Sequence, residues 1–132
     1  MTAKTGRKSR TLRVGIADLR HAKERTLAIA RGEITPGPHD PKVWFPSAES
    51  FGKVLSTGNR ELLARIQDER PASLQALSAL TGRAVSNLSR TLRTMEGYGL
   101  VELRRGPRGT LRPEVPFDSI ELQVPLRAEA AE

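Results

Sequence analysis

SLQALSALTGRAVSNLSRTLRTMEGYGLVELRRGPRGTLR, residues Ser73 to Arg112, is the stretch on which the reading of this 132-residue chain turns. Ser73 is a residue type that caps helices, and Leu74, Leu77 and Leu80 recur behind it as the apolar side of a short helix over about 74–80. Thr81-Gly82 supplies a tight turn, because glycine tolerates positive φ. The spacing then predicts a longer helix over about 83–98. With about 100° between successive residues, Val85, Leu88, Leu92 and Met95 fall in one quadrant. Arg83, Ser86, Asn87, Arg90 and Thr94 lie on the other side, with Arg93 on the flank. Gly97 and Gly99 end the helix. Val101 and Leu103 alternate with Glu102 and Arg104, Gly106-Pro107-Arg108-Gly109 makes a tip, and Thr110 to Val115 returns. A basic β-hairpin therefore follows the helix.

Working outward, Ser47 is the predicted N-cap of a helix with Ala48, Phe51, Val54 and Leu55 as its apolar stripe, broken at Thr57-Gly58-Asn59. A further helix over about 60–70 buries Leu62, Leu63 and Ile66 and stops at Pro71. Upstream, Leu12, Val14 and Ile16 alternate with Thr11, Arg13 and Gly15 as a short strand, and Asp18 can cap a helix to about Arg31. The apolar face of that helix is thin, so it needs a partner surface. Thr35 to Pro41 is a breaker cluster rich in proline, and Val43-Trp44-Phe45 is a brief extended segment. Trp44, Phe45 and Phe51 are read as closing a core or a dimer interface. Near the end, Ile120, Leu122 and Val124 alternate with Glu121 and Gln123 as another strand. The expected organisation is a flexible basic arm over 1–10, a strand-helix extension with its proline-rich loop over 11–46, a main domain over 47–126, and a tail over 127–132.

Charge is distributed unevenly. The chain carries 22 Lys and Arg against 15 Asp and Glu, a formal net charge of +7. Lys4, Arg7, Lys8, Arg10 and Arg13 all precede the first acid, Asp18. From Arg83 to Arg112 the arginines at 83, 90, 93, 104, 105, 108 and 112 face only Glu96 and Glu102. Positive charge gathered in two places on an otherwise mildly acidic chain points to a polyanionic partner.

Other classes are less well supplied. The chain has no Cys, so thiol catalysis, thiolate metal sites and disulfides fall away. Its histidines, His21 and His39, have no nearby nucleophile or carboxylate arrangement suited to catalysis, and an enzyme is not expected. No metal or cofactor is expected either. No apolar run reaches the length that spans a bilayer, and the basic N-terminus lacks the apolar segment of a secretory signal, so the expectation is a cytoplasmic protein without a membrane partner.

A helix fits the DNA major groove, and reading base edges there requires polar side chains on one face and a packed apolar back. On this reading Asn87 suits an adenine edge and Arg90 a guanine edge, while Ser73, Arg83, Ser86, Arg93 and Thr94 reach bases or flanking phosphates. Arg104, Arg105, Arg108 and Arg112 on the hairpin are expected to meet phosphates, with Arg108 at the tip entering a minor groove. RNA is a further possible ligand of the same basic surface.

The segment Ser73 to Leu92, followed by Met95-Glu-Gly-Tyr-Gly-Leu-Val-Glu102, resembles the MarR-type winged-helix DNA-binding proteins. More narrowly, the layout is similar to a family of small prokaryotic transcriptional regulators. Their short opening strand and helix, a segment like Phe45-Pro-Ser-Ala-Glu49, and a closing strand like Asp118-Ser-Ile-Glu-Leu-Gln-Val124 all have counterparts here. The broad likeness covers about 59–115 and the narrower one most of the chain. It implies an α+β, mainly helical winged helix-turn-helix with an N-terminal strand-helix extension and a C-terminal strand, binding double-stranded DNA as a homodimer. Members are often encoded beside a small toxin, which implies as the alternative an antitoxin that binds a protein toxin and autoregulates its operon.

Overall fold

The computed structural model describes residues 10–35, 37 and 40–126. The basic residues Lys4, Arg7 and Lys8, His39 and the tail from 127 onward lie outside the described residues.

The alternation at the start of the chain places a strand, β1 (Thr11–Ile16), with Leu12 and Val14 buried. It is the centre of a three-stranded sheet between β2 (Val43–Phe45) and β5 (Ser119–Gln123), parallel to both. Leu12 pairs with Ile120 and Val14 with Leu122 on one side, and Ile16 with Phe45 on the other. Since side chains alternate across a sheet, this register gathers Leu12, Val14, Ile16, Val43, Phe45, Ile120 and Leu122 on one face, with Trp44 on the other. Parallel neighbours require long crossovers. The first contains α1 (Leu19–Ala30); the second contains α2 (Ala48–Val54), α3 (Thr57–Glu69), α4 (Leu74–Thr81), α5 (Val85–Gly97) and an antiparallel hairpin of β3 (Glu102–Arg105) and β4 (Leu111–Glu114). The class is α+β.

The sheet joins the two ends of the described chain. The 11–46 segment, read as an extension, shares one continuous core with the helices: Leu12, Val14 and Phe45 belong to the same buried cluster as Leu62, Ile66, Leu77, Leu88 and Leu92. Phe45 is fully enclosed, stacked on Tyr98 at 4.0 Å between ring centroids and edge-on to Phe51 at 5.3 Å. Gly15 is needed at its position. A Cβ there would lie 2.4 Å from the Trp44 ring, which rests across it from the neighbouring strand.

Local chemistry sets the helix boundaries. Asp18, Ser47, Ser56 and Ser73 cap α1 to α4, each side chain accepting a hydrogen bond from a first-turn N–H. Thr57-Gly58-Asn59, read as a break, is instead the first turn of α3, because Ser56 accepts from the Asn59 N–H at 3.2 Å. The expected inward Leu80 is 37% exposed. Steps of three residues drift about 60° each around a helix, so the third leucine of the 74–77–80 series has left the buried face. On α1, Leu27 is 44% exposed and Ala30 lies in solvent, in keeping with a thin apolar face.

Among the described residues, no helix is long and apolar enough to cross a membrane.

Candidate nucleic-acid interface

α5 is divided lengthwise. Leu88, Leu92 and Met95 are completely buried and Val85 is half-buried, whereas Ser86, Asn87, Arg90, Arg93 and Thr94 are all exposed. Burying three such side chains stabilises the helix seat by about 1.5–3 kcal/mol each, which fixes the orientation of the polar face. The turn before it is held as firmly. Gly82 closes α4 at φ 79°, the Ser78 hydroxyl donates to the Arg83 carbonyl at 2.7 Å, and the Arg83 N–H donates to the Thr81 hydroxyl at 3.2 Å.

That turn moves one expected contact residue. The helix begins at Val85, with Ala84 at its N-cap, so Arg83 precedes it. Its half-buried side chain turns back to the first turn of α3, donating to the Asn59 amide oxygen at 3.1 Å. Arg83 is thus a brace between α3 and the turn rather than a member of the exposed face. Ser73 is engaged as well, accepting from the Ala76 N–H at 3.0 Å as the cap of α4. On the exposed face, the Arg93 Nε donates to the Ser89 hydroxyl at 3.1 Å and the Thr94 hydroxyl donates to the Arg90 carbonyl at 3.2 Å, both within the helix. Among the described residues no ion pair engages Arg90 or Arg93.

The hairpin carries two kinds of arginine. Its register sets Glu102 opposite Glu114 and Arg104 opposite Arg112, with Leu103 opposite Pro113 on the inward face. Like charges face one another directly across the strands, an unfavourable arrangement by itself. Contacts between opposite charges resolve it. Arg104 donates through Nε to Glu114 at 2.6 Å and through a terminal nitrogen to Glu102 at 3.0 Å, and Arg112 meets the other Glu114 oxygen at 3.1 Å. The hydrogen bond from Arg104 and its positive charge hold the Glu114 carboxyl below its ordinary range; the same contact raises the Arg104 guanidinium. The tip differs. Arg105 and Arg108 are exposed, and among the described residues neither belongs to an ion pair. Arg108 sits at φ 60°, a left-handed conformation unusual for a side chain of this size. A hydrogen bond from the Gly106 N–H to the Thr110 carbonyl at 2.8 Å closes the turn around it.

The expected set of four phosphate-seeking hairpin arginines therefore divides into a neutralised pair, Arg104 and Arg112, and a pair without an ion-pair partner among the described residues, Arg105 and Arg108. Glu114 is the residue the sequence reading missed. It lies two positions beyond Arg112, outside the basic segment, and the strand register folds it back beside Arg104. Of the N-terminal basic residues within the described chain, one is paired and the other is held by its backbone. Arg13 pairs with Glu121 at 3.3 Å, and the Arg10 N–H donates to Asp118 at 3.0 Å while its guanidinium lies over the Phe117 ring.

The fold and this surface describe an α+β protein whose polar, partly cationic helix face stands near a hairpin with a cationic tip. The HVO_A0114 family matches residues 54–122, from the end of α2 through most of β5, and the chain belongs to that family. No curated protein and no solved structure matches the chain.

Proposed function

We propose that this protein is a sequence-specific, double-stranded DNA-binding transcriptional regulator. In this reading α3, α4 and α5 with the β3–β4 hairpin form a winged helix-turn-helix of MarR-like type. The observation that carries it is the division of α5: a stripe sealed into the core behind five exposed polar or cationic side chains. Asn87 and Arg90, three residues apart near the start of the helix, supply the amide and guanidinium that read adenine and guanine edges, each good contact worth about 1–3 kcal/mol of discrimination. Arg93 and Ser86 serve the backbone, and Arg105 and Arg108 at the hairpin tip contact phosphate or minor groove. Ala84 provides no side-chain cap for α5, so its first-turn N–H groups add a feature compatible with a nearby phosphate. Binding as a homodimer would match a two-fold operator, and the protein would act in the cytoplasm.

The test is selection from a random duplex library followed by titration of the enriched sequence. Wild-type protein is expected to prefer the selected duplex, and Asn87→Ala with Arg90→Ala to lose that preference while retaining salt-sensitive background binding. Preference surviving the double substitution would remove α5 as the reading element. The antitoxin reading draws on a different feature: Leu27, Ile34, Val124 and Leu126 are exposed apolar residues, a composition suited to a protein partner. Co-purification of a toxin, abolished on replacing Leu126 and Val124 by Ser, would favour it.

A further inference from the structure

We infer that Glu114, assisted by Glu102, is a built-in competitor for DNA phosphate: the two carboxylates occupy Arg104 and Arg112 and hold the hairpin's affinity for duplex DNA below what its four arginines would otherwise give. This rests on the DNA-binding reading and deepens it by naming how that surface is restrained.

The argument begins with stoichiometry. Two guanidinium groups and two carboxylates share the outward face of the hairpin, and the contacts at 2.6, 3.0 and 3.1 Å leave this group with no net charge. Glu114 is the bridge, with one oxygen on Arg104 and the other on Arg112. A carboxylate and a phosphate oxygen make the same demand on a guanidinium, so a DNA strand approaching Arg104 or Arg112 must displace a partner already in place. The displaced carboxylates would stay near the phosphates and repel them. Arg105 and Arg108 present no such obstacle, and the tip makes the first contact.

Counterion release separates this from a purely structural role. Each phosphate neutralised contributes about −0.9 to the slope of log affinity against log salt. With Arg90, Arg93, Arg105 and Arg108 engaged, the wild-type slope is expected near −3.6 per chain, and freeing Arg104 and Arg112 would steepen it toward about −5.4. A merely structural Glu114 makes the opposite prediction. Its removal leaves Arg104 facing Arg112 across the strands, weakens the hairpin and lowers DNA affinity along with thermal stability.

The experiment titrates wild type, Glu114→Gln, Glu102→Gln and the distant control Glu33→Gln with a fluorescent duplex over a range of salt, with melting temperatures measured in parallel. The control adds the same unit of charge away from the hairpin. Glu114→Gln is expected to bind several-fold more tightly than Glu33→Gln, with a slope steeper by about 0.9 because Arg112 is freed while Glu102 still holds Arg104, and an unchanged or slightly lower melting temperature. Glu102→Gln should give a smaller gain. In an Arg104→Ala, Arg112→Ala background the gain from Glu114→Gln should vanish. If wild type binds duplex and Glu114→Gln only matches the control, or the gain persists without the two arginines, the restraint does not exist while the DNA-binding reading stands. If neither wild type nor Glu114→Gln binds duplex at low salt, both fall.

Discussion

α5 and the hairpin are adjacent, both rich in arginine, and alike in sequence as basic surfaces, yet the fold treats their charges differently. On α5 the polar face projects outward and the nearest hydrogen bonds are to the helix itself, leaving Arg90 and Arg93 without an ion-pair partner among the described residues. On the hairpin, antiparallel pairing brings residues ten positions apart side by side, so Glu114 reaches Arg104. A helix exposes the charges its own sequence carries. A hairpin mixes the charges of two segments, and the net result depends on register.

The contrast can be broken most forcefully from behind. Leu92→Ala removes the centre of the stripe that seats α5 and should lower stability by about 2–5 kcal/mol in urea unfolding, abolishing DNA binding with it. A decrease below about 1 kcal/mol would mean that the polar face is not held by the core. Next in size is the reading face. Replacing Asn87 and Arg90 together should reduce discrimination between selected and scrambled duplex by about 1–3 kcal/mol for each base edge no longer read, with stability unchanged because both side chains are exposed.

The hairpin's division sharpens the comparison further. Arg105→Ala with Arg108→Ala should make the salt slope shallower by about 1.8. Arg104→Ala with Arg112→Ala should change it by less than half that amount, and equal effects would erase the distinction between tip and strand. Acid gives a milder probe. The Glu114 carboxyl titrates below its ordinary range, chiefly because it accepts from Arg104. Its contribution is therefore fully present above the unfolded glutamate value of about 4.3 and is lost as pH falls through the lower folded value. Melting temperature measured across that interval should fall less steeply in Glu114→Gln than in wild type. The smallest expected effect is at Arg108, where glycine would relieve the left-handed backbone: Arg108→Gly should alter stability by no more than about 1 kcal/mol while removing about 0.9 from the salt slope.

Much of the fold was legible because its signals are local. Caps at Asp18, Ser47 and Ser73, the left-handed Gly82 and the Leu88–Leu92–Met95 spacing act within one or two turns of chain, and each element they mark is present. The errors were of two ranges, one within a single turn of chain and one across 24 positions. Ser56 outcompeted the breaking tendency of Thr57-Gly58-Asn59, and the polar turn after Gly82 drew Arg83 toward Asn59. Of the candidate site, the exposed row on α5 follows from periodicity alone. The hairpin's pairing state does not, because it requires knowing which residue of one strand stands beside which residue of the other.

Sequence by itself determined the order of elements and the two-sided character of α5, since both follow from interactions between residues a few positions apart. Tertiary structure alone decided that β1 and β5, at opposite ends of the described chain, are parallel neighbours, and that Glu114 bridges Arg104 and Arg112. Those outcomes depend on contacts whose geometry is set by the packing of the whole core. Coulombic attraction falls off with distance in space, and distance along the chain does not report it.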